Sequence, residues 1–210
     1  MLVVKRIINT PVPSNCFVVY DKSESTNCII VDPGTKNNEE LLAFISSNEL
    51  IPQYIILTHE HFDHCWGVNC LVEKYRIPIV CSHSCSEAIR FEKRNCSVFY
   101  DNNKRFVILS PTISIESVNC KLLFANKEIY FFETPGHSDA SICFTIEKVL
   151  FTGDTLIEGT RTITKLPSGS ILKLKESLAK INKYKGQGLI VYPGHGDLFE
   201  LDNYNLGLAF

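Results

Sequence analysis

Three histidines and an aspartate in the pattern His-x-His-x-Asp-His fall within six residues, in the run His59-Glu60-His61-Phe62-Asp63-His64. Imidazole and carboxylate are the donor set of zinc, iron and manganese sites. Side chains two apart on extended backbone point to the same side, so His59 and His61 can grip one ion together. Asp63 and His64 lie further on, where a helix is predicted to begin, and are better placed for a second ion. At this composition, three histidines and an aspartate in that register arise by chance in about two of ten thousand chains this long. The chemistry on offer is that of divalent cations, which hold water as hydroxide near neutral pH and polarise a carbonyl.

The elements that must position these groups are short apolar runs bounded by turn residues. Strands are predicted over 16–20, 28–31, 54–57, 77–81, 129–132, 142–146, 149–151 and 189–192, with a further β stretch through 112–124. Five of the six histidines and two aspartates stand at the downstream ends of such runs. The run 54–57 leads into Thr58 and His59, and 129–132 leads into Pro135-Gly136-His137. The run 149–151 leads into Gly153-Asp154, 189–192 into Pro193-Gly194-His195, and 28–31 into Asp32-Pro33-Gly34. Rigid strands feeding short Gly/Pro loops can aim side chains at one point, so the five loops are expected to converge. His83, at a predicted helix start near Ser84, is read as structural. Ile171, Leu174, Leu178, Ile181 and Tyr184 form a helical stripe, with Ser170 as its N-cap and Gly186 as its stop. Further helices are expected over 38–48 and just after His64.

Composition bounds the rest. The 210 residues are 45% hydrophobic and 21% charged, which suits one soluble domain over 1–210 without disulfide staples. Apolar runs stop at five residues, and Lys5 and Arg6 interrupt the N-terminal one, so neither a membrane span nor a secretory leader is expected. A net charge of −2 with both signs interspersed argues against a nucleic-acid partner. Nine cysteines without a leader fit a reducing cytoplasm. Cys81-x3-Cys85 and Cys65-x4-Cys70 are read as packing rather than as metal pairs.

The order THEHFDH, TPGH, FTGDTL and YPGHG, preceded by VDPG at Asp32, resembles the metallo-β-lactamase superfamily across nearly the whole chain. The resemblance implies an α/β fold, the four-layer αββα sandwich of two pseudo-repeated halves, with metals in a cleft at one edge. It implies a first ion on His59, His61 and His137, and a second on Asp63, His64 and His195. Asp154 would bridge them together with a water or hydroxide, and Asp32 would hydrogen-bond and orient a ligand. Two divalent ions follow, zinc first, with iron or manganese as alternatives. The bridging hydroxide would attack an acyl carbonyl of a small-molecule substrate, and Asp63 would pass a proton to the leaving group.

Departures narrow the branch. The commonest zinc β-lactamases carry cysteine at the place of Asp154 and lack His64, while flavin-linked diiron reductases have glutamate at the place of His61. Residues 160–170 (TRTITKLPSGS) resemble a segment of compact glyoxalase II-like thioester hydrolases, with Thr164 near the place of that segment's aspartate. The Cys-Gly-Lys stretch and helical domain that help larger glyoxalase II enzymes bind glutathione are not found, which leaves the thiol open. Lys165 and Arg161 are candidates to meet an anionic substrate or to be solvated surface. Three other readings share the motifs: a persulfide dioxygenase with one iron on His59, His137 and Asp154, a lactonase, and a non-catalytic regulatory protein. Cys65 and Trp66 stand where the family often has Gly-Gly. Trp66 is expected to line the pocket or start a helix core face, and Cys65 to pack as a reduced thiol.

Overall fold

Residues 16–20 read Cys-Phe-Val-Val-Tyr with no polar interruption, the signature of a strand buried on both faces. In the computed structural model, which describes residues 1–23, 26–101, 104–115 and 120–210, this is so. The first half comprises β1 (Leu2–Ile8), β2 (Asn15–Asp21), β3 (Asn27–Val31), α1 (Glu39–Ser47), β4 (Ile51–Ile56), α2 (Phe62–Cys65) and α3 (Val68–Tyr75). It continues through β5 (Ile79–Ser82), α4 (His83–Ala88), α5 (Ser97–Tyr100) and β6 (Thr112–Ile115). The second half comprises β7 (Cys120–Phe124), β8 (Lys127–Glu133), β9 (Ile142–Ile146), β10 (Val149–Gly153), α6 (Ile171–Asn182), β11 (Ile190–Pro193) and β12 (Phe199–Glu200).

Each half builds one six-stranded mixed sheet, ordered β1-β2-β3-β4-β5-β6 and β12-β11-β10-β9-β8-β7. Strand alternation sorts the side chains into three apolar layers. Cys16, Val18, Cys28, Ile30 and Ile55 face α1 and α3 through Leu41, Ile45, Val68 and Leu71. Their sequence neighbours Phe17, Val19, Ile29, Val31 and Ile56 face Phe131, Phe144 and Phe151 of the second sheet. The far side of that sheet, with Phe132, Cys143, Leu150 and Val191, receives Leu174, Leu178 and Ile181 of α6. Helix, sheet, sheet, helix is the expected αββα sandwich.

Strand direction explains why the loops converge. β3 and β4 pair in parallel, and so do β10 and β11. β8 and β10 flank the antiparallel β9, so they also run the same way. All five strands that lead into the chosen histidines and aspartates therefore deliver their downstream ends in a common direction within each sheet.

Three local readings change. The stretch 112–124 is not one β run, because β6 pairs with β5 in the first sheet and β7 with β8 in the second. Residues 116–119 within it lie outside the described residues. The helix expected after His64 begins earlier, at Phe62, and breaks at Gly67. A Cβ at Gly67 would lie 2.3 Å from the Asn38 side chain, and its N–H donates to Pro33 O, so backbone packs against backbone there. β1 was not predicted. It is an edge strand whose Lys5 and Arg6 break the apolar pattern, and it pairs with β2 over its whole length. α6 begins and is capped as expected, with Ser170 Oγ accepting from Lys173 N, although Ile171 at its start is exposed.

Phe151 lies at the centre of the middle layer, fully buried, with ring centroids 4.5 Å from Phe144 and 5.4 Å from both Phe17 and Tyr192. Phe151→Ala is expected to lower unfolding free energy by about 3–5 kcal/mol in urea denaturation. A loss below about 1 kcal/mol would contradict the central place given to this layer.

Candidate metal centre

The ligand loops do meet. His59, His61 and His137 offer ring nitrogens within 4.8 Å of one another, and so do Asp63, His64 and His195 through nitrogen and carboxylate atoms. A third group, Asp32 with His59 and His64, meets the same test. Asp154 stands between the first two. Its Oδ2 is 3.6 Å from His137 Nε2 and 3.5 Å from His195 Nε2, and its Oδ1 is 3.5 Å from His64 Nε2. His83 is exposed and outside these groups.

Which nitrogen each imidazole offers follows from what its other nitrogen does. Thr58 O–H donates to Asp32 Oδ2 at 2.6 Å, so its oxygen accepts from His59 Nδ1 at 3.1 Å. His64 Nδ1 donates to the same Asp32 oxygen at 3.1 Å. His137 Nδ1 donates to Ile163 O at 2.8 Å, and His195 Nδ1 to Pro13 O at 3.1 Å. Four rings are thereby left with an Nε2 lone pair turned inward. His64 and His195 bring their Nε2 atoms within 3.3 Å of each other, and His137 Nε2 lies 2.9 Å from His61 Nδ1.

Lone pairs and carboxylates crowded this closely repel unless positive charge lies among them. Buried His59 Nε2, His61 Nε2 and Asp154 Oδ1 have no hydrogen-bond partner, a rare and costly condition that a cation would relieve. The donor set and its orphaned atoms fit divalent metal ions. Without them, protons compensate in part. Burial disfavours a charged His64, yet Asp154, Asp63 and Asp32 outweigh it and push its pKa up to about 10. Burial also acts to raise Asp63, but His64 and His195 hold its carboxyl well below the usual range. Burial and the surrounding imidazoles push His59 down, and burial with His137 takes His61 to about 3.

Asp32 is more than a turn residue. Its φ of 50° turns the chain sharply after β3, and its Oδ1 accepts from Thr58 N at 2.8 Å. Several supports escaped sequence reasoning because no residue pattern marks them. Ser14 Oγ donates to Asp63 O at 2.5 Å, and Asn9 Nδ2 holds both Ser14 Oγ and Asp32 O. A Cβ at Gly194 would lie 2.1 Å from Asp154 Oδ1, so only glycine lets β11 end this close to the cluster. Cys65 is no ligand: its buried thiol donates to Glu60 O at 3.2 Å, and burial pushes its pKa well up. All nine cysteines are free thiols, seven of them buried and Cys70 and Cys120 half-buried. Trp66 is buried, stacks on Phe106 and meets Phe62 in a T-shaped contact, so it serves the core face.

Beside the cluster is a cavity of about 260 Å³, walled by His137, Asp154 and His195 and by Ile157, Arg161 and Ile163. Lys165 is exposed and does not line it.

A model of the metallo-beta-lactamase superfamily matches residues 9–195. The chain belongs to this superfamily. The superfamily is one of metal-dependent enzymes, hydrolases above all, that often bind two divalent ions, in keeping with the two clusters of histidine and aspartate side chains on either side of Asp154. Hydroxyacylglutathione hydrolase of Klebsiella pneumoniae is 30% identical over 184 residues, which is 88% of this chain and 63% of that enzyme. The chain thus spans less than two thirds of that relative's length. A crystal structure of BLEG-1 B3 metallo-beta-lactamase superposes with a TM-score of 0.86 at 28% identity, over 95% of this chain and 94% of that one. TTHA1623 in a di-iron-bound form superposes with a TM-score of 0.79 at 25% identity, over 94% of each. Among the described residues, no helix is long and apolar enough to cross a membrane.

Metal binding should be coupled to proton release. Because the three aspartates raise the His64 pKa, that imidazole is protonated at neutral pH and must lose its proton to offer Nε2 to an ion. Apparent affinity is expected to rise about tenfold per pH unit for each proton displaced, between about pH 6 and pH 8. Chelator competition measured across that range checks this, and a flat profile would contradict it.

Proposed function

We propose that residues 1–210 form one metallo-hydrolase domain that cleaves a small thioester with two metal ions. His59, His61 and His137 hold the first ion, and Asp63, His64 and His195 the second. The observation that carries the reading is Asp154, whose two oxygens reach His137 on one side and both His64 and His195 on the other. Bound there, two divalent ions supply a hydroxide nucleophile at neutral pH and charge to polarise the acyl carbonyl.

The chain's residues do the rest. Asp32 and Thr58 fix His59 and His64, while Ile163 O fixes His137, so the inward lone pairs keep their directions. Ile157 and Ile163 give the cavity an apolar wall against which the acyl group would lie. Asp63 is partly exposed and 3.3 Å from His195 Nε2, placed to carry a proton on its carboxylate to the leaving group. A thiolate needs little such help, because thiols ionise near pH 8.5, and this favours a thioester over an amide. The relative named hydroxyacylglutathione hydrolase supports the same bond type. Nine free thiols suit a reducing cytoplasm. Hydrolysis of β-lactams is the second reading, favoured by the likeness to BLEG-1.

The test is a panel of thioesters on several thiols, set beside oxygen esters, lactones and a chromogenic cephalosporin, with metal-loaded protein. Thioesters are expected to be cleaved best. His61→Ala is expected to lose about a thousandfold or more in rate and to retain less metal, with its unfolding midpoint little changed. A fully active His61→Ala protein, or a loaded protein silent on every thioester, would overturn the proposal.

A further inference from the structure

Glu60 lies between two ligand histidines, yet belongs to none of the three ligand groups. Its carboxylate is 2% exposed, and burying such a group is costly unless it is hydrogen-bonded. Its partner comes from the other half of the molecule: Ser138 Oγ donates to Glu60 Oε2 at 2.8 Å.

An ionised Glu60 has no proton to give, so Ser138 is the donor in this bond. Ser138 has one hydroxyl proton, and its oxygen already accepts from Ala140 N at 3.2 Å. Ser138 N donates to Ser141 Oγ at 3.2 Å, and the Ser141 hydroxyl lies 3.1 Å from Ser138 Oγ. With the Ser138 proton committed to Glu60, Ser141 O–H is the donor to Ser138 Oγ. The network therefore runs one way and ends on the Glu60 carboxylate, so its members reinforce one another.

The register gives the bond its meaning. Glu60 meets Ser138, and the adjacent His61 meets the adjacent His137, with Nδ1 and Nε2 2.9 Å apart. These two pairs step in opposite directions along two loops, one following β4 and the other β8. One pair presents lone pairs to the centre, and its neighbour in the same register ties the two loops together. Ser82 Oγ donates to Ala140 O at 2.7 Å and anchors the second loop to the end of β5.

We propose that the Glu60–Ser138 hydrogen bond is a latch between the two halves. It sets the separation of His61 and His137, and with it the affinity for the ion held by His59, His61 and His137. Glu60 is thus a positioning residue, and its role rests on the ligand assignment proposed above.

The experiment is titration of the full chain with cobalt(II) against a competing chelator, read by affinity and by the cobalt d–d absorption. Ser138→Ala and Glu60→Leu are each expected to weaken one of two equivalents about 10- to 100-fold and to alter that ion's spectrum. The other equivalent should move less than about threefold, and the double variant should be no weaker than the weaker single one. Glu60→Gln, whose amide oxygen still accepts from Ser138, should stay within about threefold of the wild type. If Glu60→Leu does not fold, Ser138→Ala and Glu60→Gln decide the matter. Variants that hold both equivalents as tightly as the wild type, with unchanged spectra, would overturn the latch. So would a Glu60→Gln protein as weak as Ser138→Ala. A wild-type protein that takes up no cobalt would overturn the ligand assignment itself, which is a different result.

Discussion

Five imidazoles and two carboxylates converge on one partly buried space, and holding so many polar groups together there is the constraint on which the rest of the structure depends. Four of the five rings are held by an outward hydrogen bond, to Thr58, Asp32, Ile163 or Pro13, and His61 has none. Such an array is unfavourable by itself; the fold meets its cost, and a cation among the donors would offset it. The large apolar middle layer, with Phe17, Phe131, Phe144 and Phe151, is what can absorb that cost.

The site cannot belong to either sheet alone. His59, His61, Asp63 and His64 come from the first half, and His137, Asp154 and His195 from the second. Backbone bonds stitch the seam on both sides: Ile142 N donates to Thr58 O at 2.8 Å, and Asn15 N to Gly194 O at 2.6 Å. Glu60 with Ser138 adds a side-chain tie at the same seam. Packing of the two sheets and geometry of the ligands are therefore one problem, and small errors in sheet placement would appear directly as ligand spacing.

Much of this was legible in the chain because ligand chemistry leaves residue types behind. His59-x-His61-x-Asp63-His64 and the Pro-Gly-His loops announce donors, and apolar runs before them announce strands. What escaped was contributed by groups without a distinctive type. Ile163 and Pro13 act through backbone carbonyls, which any residue carries. Asn9 and Ser14 are ordinary polar residues in a loop, and only the folded chain brings them beneath Asp32 and Asp63. The stretch 112–124 failed for another reason: alternation reports that a segment is β, not which of two sheets takes it. β1 was hidden because an edge strand tolerates Lys5 and Arg6 where a central strand would not.

The central claim is that the two clusters bridged by Asp154 hold two ions at once. Elemental analysis of protein purified anaerobically, without a metal-binding tag, tests it most directly when paired with anomalous scattering from crystals. The account expects two equivalents of zinc, iron or manganese per chain, on either side of the Asp154 carboxylate. A single equivalent, with no second ion after equilibration with excess metal, would contradict it, and one iron would point to oxygen chemistry instead.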